Sequence, residues 1–127
     1  MGDGTRAGME TARGALGRRG EDAALDWYRG AGFVLVARNW RCPAGELDLV
    51  LRRGGLVVFC EVKTRGGAGF GGGHEAVTWR KQRKLRQLAE IFLAGLRAAP
   101  AAVRFDVASV LARPGMRPAV EVFEDAF

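Results

Sequence analysis

Residues 45–63 read GELDLVLRRGGLVVFCEVK, two runs joined by Gly54-Gly55. Gly-Gly between alternating or apolar runs is a strong short-range hairpin signal, because glycine adopts the positive φ that tight hairpin turns need. The spacing predicts strands over Glu46–Arg52 and Leu56–Lys63. Side chains alternate along a strand, so Glu46, Asp48 and Val50 are expected on one face and Leu47, Leu49 and Leu51 on the other. In the second run Val57, Phe59, Glu61 and Lys63 share a face, opposite Val58, Cys60 and Val62. A two-residue turn sets Arg53 against Leu56, Leu51 against Val58, Asp48 against Glu61 and Glu46 against Lys63. Apolar then meets apolar, and four charged groups gather on one face.

Like charges directly opposed across a ladder are destabilising. Glu46 beside Lys63 offsets part of this but leaves Asp48 facing Glu61. A divalent cation relieves the repulsion, since Mg²⁺ takes carboxylate oxygens at about 2.1 Å and keeps waters for chemistry. A raised pKa with a shared proton is the other way out, and solvated strand-end charges with a Glu46–Lys63 bridge is a third reading. Lys63, two residues from Glu61 on the same face, is placed to orient a water and stabilise charge on a phosphate.

Working outward, Ala24, Leu25 and Tyr28 form an apolar stripe within a helix expected from Leu16 to Ala31, closed by Gly30 and Gly32. Glu21 falls on that stripe, and burying it requires a partner. The metal site could supply one; so could Arg18 or another cation. Phe33–Val36 reads as a short strand and Arg38–Ala44 as a polar loop. Residues 66–73 hold six glycines in eight positions, a flexible loop without a Walker or dinucleotide pattern. His74 beside it is read as incidental.

A long helix is expected from Thr78 to Ala98, with Leu85, Leu88, Ala89, Phe92, Leu93 and Leu96 as its core stripe and Pro100 as its stop. Its start carries Arg80, Lys81, Arg83, Lys84 and Arg86, five cations in seven residues. Cations at a helix N-terminus oppose the macrodipole, so their clustering there points to phosphate binding. Trp79 is read as a staple of the helix start to the core, with base stacking as its other use. Strands over Val103–Leu111 and Ala119–Phe123 follow. The order α-β-β-β-α-β-β implies an α/β domain, a central mixed sheet flanked by helices. Residues 1–14 are expected to be a disordered leader and 15–127 a single domain.

The 20 Lys and Arg outnumber the 14 Asp and Glu, and the pI near 10.3 makes nucleic acid the first expected partner. No stretch approaches a membrane span. The N-terminus lacks a signal-like apolar segment, and Cys42 and Cys60 are too few for a disulfide framework. A cytoplasmic setting is therefore expected, with Cys60 as a core residue.

Asp48, twelve intervening residues and then Glu61-Val62-Lys63 resemble the PD-(D/E)xK signature of restriction-endonuclease-like nucleases. Leu47 stands in place of the proline. The wider pattern resembles the YraN-like bacterial family. It includes Gly20-Glu21 with Ala24, Gly32-Phe33, Arg38-Asn39, Gly45–Val50, Phe59–Arg65, Phe70-Gly71, Glu75-Ala76-Val77, Lys81 and Arg104–Val107. That family is similar in layout to archaeal Holliday-junction resolvases.

The resemblance implies a metal-dependent nuclease acting on DNA, branched or damaged DNA included, with Asp48 and Glu61 as Mg²⁺ (or Mn²⁺) ligands and Lys63 as the catalytic lysine. Glu21 matches the resolvase helix glutamate that helps the metal or its water. Lys81 and Gln82 sit where such folds place a polar residue facing the phosphate; Arg65, Arg80 and Lys84 complete the expected nucleic-acid contacts. Resolvase-like enzymes act as dimers, which implies a homodimer. A nucleic-acid-binding module that keeps this fold without turnover is the competing expectation.

Overall fold

The structure, a computed structural model, describes residues 12–66 and 77–127. Helix α1 (Ala12–Gly30) leads into strands β1 (Val34–Cys42), β2 (Gly45–Arg53) and β3 (Leu56–Arg65). Helix α2 (Trp79–Ala94) then precedes β4 (Ala102–Leu111) and β5 (Ala119–Phe123). The five strands form one sheet in chain order. Only the β3–β4 neighbours are parallel, the pair that α2 bridges; the others are antiparallel. This is the expected α/β arrangement and element order.

Each face of the sheet carries one helix. Ala24, Leu25 and Tyr28 of α1 pack on Leu49, Leu51, Val58, Cys60, Ala108 and Val110. Leu85, Leu88 and Ala89 of α2 pack on the opposite face, against Leu47, Val50, Val57, Phe59 and Val107. The alternation expected of β3 holds throughout, and Cys60 is a core residue at 3% exposure. In β2 it fails once: Leu47 joins the α2 side while Leu49 and Leu51 face α1.

Three boundaries differ from the sequence expectation. Helix α1 starts at Ala12, so residues 12–14 of the expected leader are helical; residues 1–11 lie outside the described residues. Helix α2 ends at Ala94 because Gly95 caps it, its N–H reaching the Phe92 and Leu93 carbonyls, well before Pro100. The segment expected as a loop after Val36 is the second half of β1. A register shift between Leu35 and Ala37 and a positive φ of 51° at Asn39 interrupt the two-residue period there. The strand is also an edge, with one side open to polar residues. The glycine-loop reading, His74, Phe70-Gly71 and Glu75-Ala76 fall on residues 67–76, outside the described residues.

Two contacts set how α1 lies on the sheet. Asp106, fully buried in β4, accepts from the Tyr28 hydroxyl at 2.6 Å and from Arg104 Nε and Nη2 at 2.8 and 2.9 Å. It also accepts the Asp125 amide at 3.0 Å. A buried carboxylate is tolerated only when so fully partnered, and burial holds the Tyr28 phenol protonated, far above its ordinary range. At its middle, α1 approaches β3 at Gly20, where a Cβ would overlap the Thr64 hydroxyl and stand 2.8 Å from Thr64 Cβ.

Gly20→Ala is therefore expected to lower unfolding free energy by about 2 kcal/mol, a typical overpacking cost. Gly17→Ala has open space around it and is expected to raise stability by about 0.5–1 kcal/mol through the gain in helix propensity. Urea melts of the two variants check both signs.

Candidate metal centre

The hairpin register is the expected one from Arg53↔Leu56 through Leu49↔Cys60, and the ladder stops there. Beyond it the strands part. β2 continues against β1, with Trp40↔Leu47 and Arg41↔Glu46, while β3 continues against β4, with Glu61↔Val107 and Lys63↔Ser109. The expected cross-strand pairs Asp48–Glu61 and Glu46–Lys63 are thus corrected. Asp48 and Glu61 stand on the two arms of a fork, and Glu46 is exposed on the β1 side, 3.5 Å from Arg41. The physical reason is in the backbone accounting. Asp48 Oδ2 accepts the Val62 amide at 2.9 Å, so a side chain replaces the ladder carbonyl that a continued pairing would supply.

Even so, the fork brings the two acids together. Asp48 and Glu61 line one narrow crevice with Leu47, Phe59, Cys60, Leu85 and Phe105, its free volume about 10 Å³, close to that of one water-sized species. Burial foremost, and then the charge of Glu61, push the Asp48 carboxyl up to about 7; Glu21 and Glu46 add to the rise and the Val62 amide opposes it.

Glu61 is 12% exposed and meets Lys81 Nζ of α2 at 3.2 Å. Lys81 was expected to face a phosphate; here it is the counterion of a site carboxylate. Lys63 is half-buried on β3, with no ion-pair partner among the described residues. Gln82 is turned back on its own helix start, donating to the Val77 carbonyl at 2.9 Å. Arg80 and Lys84 are exposed on α2, and Arg65 is half-buried at the end of β3.

Glu21 lies at 15% exposure and has its cation. Arg38 Nε donates to its Oε1 at 3.2 Å and Asn39 Nδ2 to the same oxygen at 3.0 Å, both from the segment of β1 expected as loop. Arg38 also meets Asp22 at 2.7 Å and donates to the Arg18 carbonyl at 3.2 Å. The partner is thus a cation other than Arg18, as the sequence reading allowed, and it is Arg38. Arg38 and Asn39 carried no role in the sequence reading. The signal that could have found them is an Arg-Asn pair in a strand whose period breaks. Asn tolerates a positive φ far better than most residues, and Asn39 stands level with Asp48, between the pairs Arg38↔Leu49 and Trp40↔Leu47.

Among the described residues, no three His, Cys, Asp or Glu side chains converge to hold a metal by themselves. The donor set that does converge is two carboxylates, all oxygen, which suits a hard cation that completes its shell with water and phosphate. It does not suit zinc, which wants four nitrogen or sulfur-rich ligands.

A family model, "Uncharacterised protein family UPF0102", matches residues 20–110, from Gly20 of the α1 contact to Val110 of β4. The chain belongs to UPF0102. This is the YraN family that the motifs resemble. A UPF0102 protein of Frankia alni is 50% identical over 117 residues, covering 91% of this chain and 97% of that one. One from Acidothermus cellulolyticus is 46% identical over 131 residues, covering 95% and 99%. One from Nocardia farcinica is 48% identical over 113 residues, covering 89% of both.

A carboxyl held at about 7 in the fold against 3.8 when free makes the native state the tighter proton binder. Stability is then full below about pH 4 and falls as the pH rises toward 7. With divalent ions chelated, Asp48→Asn, whose amide oxygen can still accept the Val62 N–H, should remove this slope. It is expected to melt several degrees above the parent at pH 8 and level with it at pH 4. Thermal melts across that range decide the sign.

Proposed function

We propose that this chain is a metal-dependent phosphodiesterase acting on DNA, branched or damaged DNA included, as a cytoplasmic homodimer. The observation that carries the proposal is the fork itself. Asp48 and Glu61 meet in a water-sized crevice, and Asp48 has no cationic partner among the described residues, only the Val62 amide.

Asp48 and Glu61 would hold Mg²⁺ or Mn²⁺, which when bound polarises a phosphoryl oxygen and makes a coordinated water more acidic. The remaining work falls to the chain. Lys63 shares the Glu61 face of β3 and brings an ammonium to neutralise charge on the attacked phosphate and to orient the water. Glu21, its Oε1 fixed by Arg38 and Asn39, would help orient that water. Lys81 neutralises Glu61 at 3.2 Å, while Arg80 and Lys84 extend the positive surface along which a phosphate backbone would lie. Arg65 and Gln82 belong to the same proposed contact surface. No helix among the described residues is long and apolar enough to cross a membrane.

One observation favours a second reading, a binding module of the same fold without turnover. Lys81 already offsets one of the two carboxylates, which weakens the demand for a metal.

Incubation with Mg²⁺ or Mn²⁺ and plasmid, single-stranded and four-way-junction DNA separates the two. The nuclease reading expects cleavage of at least one substrate, reduced about a hundredfold or more in Lys63→Ala while DNA binding is kept. No cleavage of any substrate, with salt-dependent binding intact, selects the module. Independently, Mn²⁺ is expected to raise the melting temperature of the parent protein but not of Glu61→Gln.

A further inference from the structure

Trp79 is 72% exposed, the most exposed large apolar side chain among the described residues. The sequence reading made it a staple of the helix start, and the structure corrects this. Val77, at 6% exposure, is buried in the α2-side core, Thr78 caps the helix through the Lys81 amide at 3.1 Å, and the indole is left outside. An exposed indole forgoes the burial that normally stabilises tryptophan, so its position is not explained by packing.

Its surroundings point to one class of partner. With Arg80, Arg83, Lys84 and Gln87 it lines a broad open hollow of about 970 Å³. Arg83 follows Trp79 by four residues and Gln87 by eight, one ridge of the helix, so ring and cation lie side by side. An acidic peptide would need the cations but not the ring, and an apolar partner would have to desolvate Arg80, Arg83 and Lys84. A nucleic-acid strand uses both, phosphates on the cations and a base on the indole. A paired base inside a duplex hides its faces, so a stacking platform serves only unpaired bases. The platform also has a fixed relation to the fork. Lys81, two residues along the same turn, touches Glu61, so the indole projects from the other side of the helix whose first turn borders the fork.

We propose that Trp79 is a stacking platform that makes this chain prefer DNA with unpaired bases near the scissile phosphate: single strands, flaps or open branch points. The inference rests on the nucleic-acid reading above and specifies its substrate class.

The test measures binding of a labelled single-stranded oligonucleotide and of the blunt duplex of the same sequence, by anisotropy in EDTA so that nothing is cut. The parent protein is expected to bind the single strand more tightly. Trp79→Ala should weaken single-strand binding roughly tenfold or more, in line with the loss of one base stack, and leave duplex affinity within about twofold. Trp79→Phe should retain most of the affinity. Trp79→Lys, which adds charge and removes the ring, should still lose single-strand binding, whereas a purely electrostatic surface would bind both ligands more tightly. Circular dichroism melts confirm that the variants fold. Parent binding with Trp79→Ala unchanged on both ligands, or weakened equally on both, overturns the platform and leaves the nuclease reading standing. A parent protein that binds neither ligand overturns both.

Discussion

Everything at the candidate site depends on one backbone amide. Where β2 and β3 part after Leu49↔Cys60, the Val62 N–H points into the gap with no ladder carbonyl to receive it. An unpaired buried amide costs on the order of 1–3 kcal/mol, so the gap has to contain an acceptor. Asp48 supplies it at 2.9 Å. That bond ties the Asp48 side chain across the gap to β3 and keeps a part-buried carboxylate beside Glu61. The acid is there because the sheet needs an acceptor. Its charge is then costly because the carboxyl is part-buried beside Glu61, a cost that a cation would relieve.

The three carboxylates around the fork are compensated differently. Glu21 is tied to Arg38 and Asn39 of β1. Glu61 is tied to Lys81 of α2. Asp48 receives, among the described residues, only a neutral amide. The fold therefore distributes its cations so that the outer two acids are satisfied by the chain and the central one is not. A site built for stability alone would have paired Asp48 as thoroughly as Asp106, which accepts from Tyr28, Arg104 and the Asp125 amide. The contrast between these two aspartates, Asp106 fully buried and fully partnered and Asp48 part-buried with one amide, separates a structural anchor from a carboxylate left open to a further partner.

The sequence carried the parts of this that follow from local chemistry. Gly54-Gly55 determined the turn, the turn determined the register as far as Cys60, and the two-residue period put Glu61 and Lys63 on one face of β3. Sequence alone could not reveal where the ladder would stop, because that depends on competition between neighbours: β1 draws β2 away and β4 draws β3. The second half of β1 was hidden for a related reason. The shift at Leu35/Ala37 and the left-handed Asn39 erase the alternation on which strand reading depends. Those same irregularities present Arg38 and Asn39 to Glu21. Features that break a periodic pattern are difficult to read in advance, and here they are what build one wall of the site. The Tyr28–Asp106 bond, spanning 78 residues, lay beyond any local pattern.

The two helices contribute to the fork by opposite routes. Helix α1 is held close, by the Tyr28–Asp106 bond near its end and by the bare Gly20 against Thr64 at its middle, and it delivers a carboxylate. Helix α2 is held by Leu85, Leu88 and Ala89, and it delivers cations: Lys81 inward to Glu61, Arg80, Arg83 and Lys84 outward. A pocket of carboxylates is thereby bordered by the cations of α2. A polyanion is repelled by the pocket and attracted by the rim, so it would settle along α2 with its backbone beside the acids and not on them. For a phosphate to advance to Lys63, the charge of Asp48 and Glu61 must first be offset. Under the proposed function a cation would therefore bind before the strand, and the strand before any chemistry.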